Sequence, residues 1–281
     1  MTPLVTTEWL AGELGAADLV VLDASSHLPD AGRVAAAEFA AGHIPGARFL
    51  DLASFTDPDS PVPAAIPSPA QFAERVASLG ISSRTRVVVY DDSYVKTAAR
   101  AWFILRLRGV ADVTVLDGGL GKWKREGREL ETGEAQAART EFAPANGAGE
   151  VRTKADMLAN LDTRAEQVVD ARGEARFTGQ QADFRPEVAS GHIPGSRNVP
   201  FDQVMNEDGT YKEPTSIRAA FVAAGLDLDA PIATTCGGGV TAAVLLFALF
   251  VAGKHDVALY DGSWAEWGTD PATPKETGPA A

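Results

Sequence analysis

The chain is written twice. Leu19-Val20-Val21-Leu22-Asp23-Ala24 returns as Gln167-Val168-Val169-Asp170-Ala171-Arg172. Gly42-His43-Ile44-Pro45-Gly46-Ala47-Arg48 returns as Gly191-His192-Ile193-Pro194-Gly195-Ser196-Arg197. Val87-Val88-Val89-Tyr90-Asp91 stands where Ile232-Ala233-Thr234-Thr235-Cys236 stands later, and Val115-Leu116-Asp117-Gly118-Gly119 through Trp123 echoes Leu259-Tyr260-Asp261-Gly262-Ser263-Trp264. The spacing is nearly constant: Gly42 to Gly191 is 149 positions and Asp117 to Asp261 is 144. Four landmarks in one order make a tandem duplication, and two copies are too few for a solenoid. Whatever one half folds into, the other half must fold into as well.

Within each copy short apolar runs alternate with helical patterns, which gives an α/β fold with a parallel sheet flanked by helices, made twice. In the first copy Thr6 or Thr7 caps a short helix, 19–22 is a buried strand and 34–41 leads into the Gly-His-Ile-Pro-Gly turn. Ser68-Pro69-Ala70-Gln71 is a capping box with proline at the first helical position, and Gly80 stops that helix. Strands follow at 87–90 and 113–116, with a helix near 97–108 between them. Residues 128–150 turn polar, so the expected organisation is a domain over 1–130, a linker over 131–150 and a second domain over 151–281. Thr153-Lys154-Ala155-Asp156 opens the second copy with another capping-box pattern, and the Pro- and Thr-rich tail after Gly268 is expected to fray.

Charge narrows the partners. A net charge of −13 over 281 residues argues against nucleic acid and against anionic membrane, since both demand a basic surface. A small anionic ligand then needs local positive charge set against the global field. The one cysteine makes no internal disulfide, and one cysteine with four scattered histidines gives no metal-ligand spacing. No metal and no cofactor are therefore expected. The N-terminal residues lack a basic segment followed by an apolar one, and the apolar run 242–253 is too short to span a bilayer. A reducing, cytoplasmic setting is expected.

Chemistry concentrates at that cysteine. A β-prone run ends at Cys236, three glycines follow (Gly237, Gly238, Gly239), and Val240-Thr241 open an apolar helix. A helix start leaves backbone N–H groups unpaired and favours an anion, such as a thiolate, at its positive end. Glycines let the backbone curl around the sulfur and leave room for a ligand. The alternative is a small buried core residue, the usual place of a free cysteine. The duplication acts as a control on every other candidate. His43 and His192 share the same turn in both copies and read as structural, as do Asp23 and Asp170. Cys236 has only Asp91 at its matching place, so one half alone can carry thiolate chemistry.

These motifs together resemble the tandem-domain rhodanese-type sulfurtransferases, the family of thiosulfate and 3-mercaptopyruvate sulfurtransferases. The resemblance spans essentially the whole chain and rests on the paired Gly-His-Ile-Pro-Gly turns, the loop 236–241 and the closing Tyr260-Asp261-Gly262-Ser263-Trp264. It implies two rhodanese-like domains with a site facing the cleft between them, the first domain non-catalytic with Asp91 in place of cysteine. It implies that Cys236 attacks the outer sulfur of a small anionic donor and becomes a persulfide inside a ring of N–H groups from Gly237 to Thr241. A thiol, cyanide or reduced thioredoxin then removes the sulfur.

Donor choice follows from the departures. Thiosulfate enzymes of the family carry Arg-Lys after the cysteine, where this chain has Gly237-Gly238. Mercaptopyruvate enzymes read Cys-Gly-Ser-Gly and use two upstream arginines for the carboxylate and keto groups; Arg176 and Arg185 match those, and forked guanidiniums suit a carboxylate. Gly238 replaces the serine, and Ala53 and Ala64 stand where the Asp and His of a proposed proton relay are sought. The expectation is 3-mercaptopyruvate as donor, with thiosulfate as the alternative and a non-catalytic persulfide carrier or sensor as a further one. A rhodanese-like phosphatase needs a longer loop ending in arginine, which 236–241 is not. With a domain pair already in one chain, a monomer is expected.

Overall fold

The computed structural model describes residues 2–135, 137–145 and 147–280. The first copy runs β1 (Leu4–Val5), α1 (Thr7–Glu13), β2 (Leu19–Asp23), α2 (Ala35–Ala41), β3 (Arg48–Phe49), α3 (Pro69–Ser78), β4 (Arg86–Tyr90), α4 (Ala98–Leu107), β5 (Asp112–Leu116) and α5 (Gly119–Arg125). The second runs β6 (Glu150–Arg152), α6 (Lys154–Thr163), β7 (Gln167–Asp170), α7 (Glu174–Phe177), β8 (Arg197–Asn198), α8 (Pro214–Ala223), β9 (Ile232–Thr235), α9 (Val240–Val251), β10 (Val257–Tyr260) and α10 (Ser263–Trp267). Among the described residues each copy forms a five-stranded sheet. The orders are β1-β5-β4-β2-β3 and β6-β10-β9-β7-β8, which is one topology used twice. All named pairings are parallel, with Asp23 opposite Tyr90 in one sheet and Asp170 opposite Thr235 in the other.

Covering a parallel sheet on both faces demands strands that are apolar along their length. The central strands meet that demand: Val87, Val88, Val89 and Tyr90 are all buried, as are the four residues of β9. Helix α9 is apolar almost all round, and eight of its twelve residues are buried, as an all-apolar helix requires. No helix among the described residues is long and apolar enough to cross a membrane.

The local signals act as expected. Thr6 caps α1 by accepting from Trp9 N–H, and both capping boxes close, Ser68 with Gln71 and Thr153 with Asp156. The Gly-His-Ile-Pro-Gly turns are built alike. His43 Nδ1 lies 2.8 Å from Phe39 O and the ring stacks on Phe39 at 3.9 Å. His192 Nδ1 lies 2.9 Å from Phe177 O and stacks on Phe177 at 3.8 Å. Both histidines are 1% exposed. Each turn is also strapped by a later residue, His43 exchanging two backbone hydrogen bonds with Glu131 and His192 with Glu276.

The contacts divide the chain into two compact units. The first is Met1–Pro58, Ile66–Ala148 and Glu207–Tyr211; the second is Asp59–Ala65, Gly149–Asn206 and Lys212–Ala281. Much of the polar stretch after 131 is held within the first unit: Thr140 N–H donates to Ala77 O (3.0 Å) and Gly147 N–H to Leu107 O (3.0 Å). Gln136 and Asn146 of that stretch lie outside the described residues.

Two expectations are corrected. The tail after Gly268 is anchored rather than frayed: Thr273 Oγ1 donates to Trp267 O (2.6 Å), Glu276 straps the His192 turn and Gly278 N–H donates to Thr178 O (2.9 Å). Polar residues in the tail find specific backbone partners, so composition alone misled. The structural counterpart of Trp123 is Trp267 rather than Trp264. Both donate from Nε1 to a later carbonyl, Glu129 O and Pro274 O, each at 2.8 Å. Trp264 matches Leu120, since their N–H groups bond Cys236 O and Asp91 O in turn.

Candidate active site

Cys236 is the first residue beyond the carboxyl end of β9, a strand flanked by β7 and β10. In open parallel sheets ligands gather outside the carboxyl ends of the strands. The glycines divide the work of turning from strand to helix. Gly239, at φ +80°, is the left-handed cap of α9, a conformation that disfavours any residue with a Cβ. Its N–H points back at Cys236 Sγ, 3.1 Å away. Gly238 has ordinary φ and open space where a Cβ would go. Val240 and Thr241 open α9, and N–H groups at a helix start lack intrahelical acceptors. The sulfur thus lies at the positive end of a twelve-residue helix.

The loop is held from behind by the start of α10. Cys236 N–H donates to Ser263 Oγ (3.2 Å), and Ser263 Oγ donates to Tyr260 O (2.9 Å). Trp264 N–H and Ala265 N–H donate to Cys236 O and Gly237 O, each at 2.9 Å. Ser263 adopts φ +49° and is fully buried, a strained backbone fixed at the loop it supports. Cys236 itself is 2% exposed.

Both arginines named from the sequence come to this loop. A Cβ placed on Gly237 would stand 3.4 Å from Arg176 Nη2 and 4.0 Å from Arg185 Nη2. Arg185 Nη2 also donates to Gly237 O (3.3 Å). What brings them together is Asp183, which sequence reasoning did not single out. Its Oδ1 accepts from Arg185 Nε (2.8 Å) and Arg185 N–H (3.1 Å). Its Oδ2 accepts from Arg185 Nη2 (3.1 Å) and from Arg176 Nη2. Burial pushes the Asp183 carboxyl upward, but the hydrogen bonds from Arg185 and Arg176 outweigh it and hold the group down at about 2. Phe184, largely exposed, lies beside both guanidiniums, 4.8 Å from Arg185 and 6.0 Å from Arg176.

Arg172, the third arginine of this stretch, is spent elsewhere. It pairs with Asp170 at 2.7 Å, donates to Gly191 O and lies over the Trp264 ring. The same local pattern, Asp-x-Arg, builds both Asp170–Arg172 and Asp183–Arg185, and this was the readable signal for Asp183. In the first unit the equivalent loop holds Asp91. Its carboxylate accepts from Ser93 N–H (3.0 Å) and Ala98 N–H (2.7 Å), so a carboxylate takes up the donors of that helix start.

Comparison with known proteins agrees with the duplication. The family model for the rhodanese-like domain matches residues 6–126 and again 153–270. Over 270 residues the chain is 41% identical to 3-mercaptopyruvate sulfurtransferase of Mus musculus, covering 94% of this chain and 91% of the relative. It is 40% identical over 274 residues to thiosulfate sulfurtransferase of Bos taurus, with the same coverage. The crystal structure of SseA, a 3-mercaptopyruvate sulfotransferase from Escherichia coli, superposes with a TM-score of 0.85 at 37% identity, covering 94% of this chain and 99% of that one.

Proposed function

The chain belongs to the rhodanese family as a tandem-domain sulfurtransferase, and from that premise we propose that it takes its sulfur from 3-mercaptopyruvate through a persulfide on Cys236. The observation that carries this reading is the Arg176–Asp183–Arg185 cluster at Gly237. Two guanidiniums and one carboxylate leave a single net positive charge beside the nucleophile, which suits the one carboxylate of mercaptopyruvate.

The chemistry balances without a cofactor. The Cys236 thiolate attacks the donor sulfur, and the carbon–sulfur bond breaks with its electron pair going to carbon. That carbon takes the proton released by the donor thiol, and pyruvate leaves. The N–H of Gly239, with the helix start behind it, stabilises negative charge on sulfur before and after transfer. An acceptor thiolate or cyanide then attacks the outer sulfur and returns Cys236 as thiolate, a ping-pong cycle. Reduced thioredoxin fits the same acceptor role. The working form is a monomer, and a reducing cytoplasm keeps the single cysteine active. Gly238 removes the hydroxyl of the Cys-Gly-Ser-Gly pattern, so the donor thiol's own proton serves the leaving carbon.

Parallel steady-state kinetics with 3-mercaptopyruvate and thiosulfate under one acceptor test this. A kcat/KM about tenfold or more in favour of mercaptopyruvate, about 1.4 kcal/mol of transition-state preference, supports the arginine assignment. A preference for thiosulfate reassigns the donor and leaves Arg176 and Arg185 without this role.

A further inference from the structure

We propose that Asp183 is a positioning residue that sets the charge preference of the donor site, making the enzyme select a monoanionic donor over a dianionic one. This rests on the donor reading above and names the residue that enforces it. The side chain of Asp183 is 2% exposed, while those of Arg176 and Arg185 are 27% and 23% exposed. One buried carboxylate therefore ties together two cations that would otherwise repel each other beside Gly237. It consumes Nε and Nη2 of Arg185 and Nη2 of Arg176. The Nη1 groups of both arginines have no protein partner among the described residues and stay available to a ligand.

The charge count follows from this geometry. Without Asp183 the two guanidiniums would present two positive charges, a match for thiosulfate, which carries two negative ones. With it they present one, a match for a carboxylate bearing a neutral thiol. Because the carboxylate is buried against its partners, salt screens it poorly. The residues after the cysteine in this chain are glycines rather than Arg-Lys, so charge selection falls to the upstream cluster.

The test is Asp183→Asn in the full-length chain, with steady-state kinetics on both donors and one acceptor. The near-isosteric change deletes the charge. The expected result is a shift of about tenfold in the ratio of the two kcat/KM values toward thiosulfate, chiefly through KM, because the added positive charge favours a dianion more than a monoanion. Asp183→Glu, which keeps the charge, is expected to leave the donor ratio near the wild-type value even where both rates drop. An equal change on both donors in Asp183→Asn, with the ratio unmoved, overturns the proposal and leaves only a scaffolding role. Should that variant fail to fold, inhibition of the wild-type chain by pyruvate and by sulfate decides: tighter binding of pyruvate supports charge selection, and tighter binding of sulfate overturns it. Failure of the donor reading itself is seen separately, as a wild-type preference for thiosulfate.

Discussion

Replacing Gly239 with alanine probes the cradle, because its neighbour Gly238 supplies the control. Gly239 sits at φ +80° and gives its N–H to Cys236 Sγ at 3.1 Å. An L-residue in the left-handed region costs about 1–2 kcal/mol. The backbone either bears that cost or rotates toward negative φ, and rotation turns the N–H away from sulfur. A hydrogen bond to a charged group is worth about 1.5–3 kcal/mol, so its loss lowers kcat/KM by roughly 10- to 150-fold. Gly238 has ordinary φ and open space at its Cβ position, so Gly238→Ala is expected to change stability by less than about 0.5 kcal/mol. Steady-state sulfur transfer and thermal unfolding on the two variants read both effects. Gly239→Ala is expected to lose activity and about 2–8 °C of Tm, with Gly238→Ala near wild type in Tm. A folded Gly239→Ala enzyme with both wild-type kcat/KM and wild-type Tm would refute the cradle, and so would equal losses of activity in the two variants.

Other outcomes follow from the same geometry. Arg176→Ala and Arg185→Ala are each expected to raise donor KM, Arg185→Ala more because its guanidinium also bonds Gly237 O; unchanged KM in both would return them to the surface. His43→Ala removes a ring stacked on Phe39 and bonded to Phe39 O. It is expected to cost about 2–4 kcal/mol in a denaturant titration while leaving kcat of the folded enzyme intact. Asp183, held at about 2, lies below the ordinary carboxylate value of about 3.9. Its pairs are therefore fully stabilising above that range and are lost as pH falls toward 2. Acid titrations of wild type and Asp183→Asn are expected to differ in stability at neutral pH and to converge near pH 2; a constant difference would contradict the pairing.

The duplication made most of the fold legible. Once two copies were aligned, the three central strands of each sheet could be placed twice, and residues shared by the copies separated from Cys236; the short flanking strands β1, β3, β6 and β8 were not read. What stayed hidden was contact without sequence period. Phe39 precedes His43 by four residues while Phe177 precedes His192 by fifteen, yet both rings stack the same way. Glu131 and Glu276 strap the two turns from remote positions, which is why the tail looked free. At the candidate site the cysteine, the glycine turn and both arginines were legible as candidates, and the structure brings the arginines to Gly237. Asp183 was missed, because a carboxylate in a polar loop reads as solvated unless its Asp-x-Arg spacing is weighed. Ser263 was noticed only as part of a closing motif. Its role, accepting from Cys236 N–H at a strained φ, is visible only in three dimensions.

The central claim is that sulfur passes through Cys236. Intact-protein mass spectrometry after mixing the chain with 3-mercaptopyruvate and no acceptor tests it directly. The expected result is a gain of one sulfur atom per chain, mapped to the peptide holding Cys236, erased by adding cyanide or a thiol and absent from Cys236→Ser. Turnover without such an adduct, or an adduct that survives in Cys236→Ser, would contradict it.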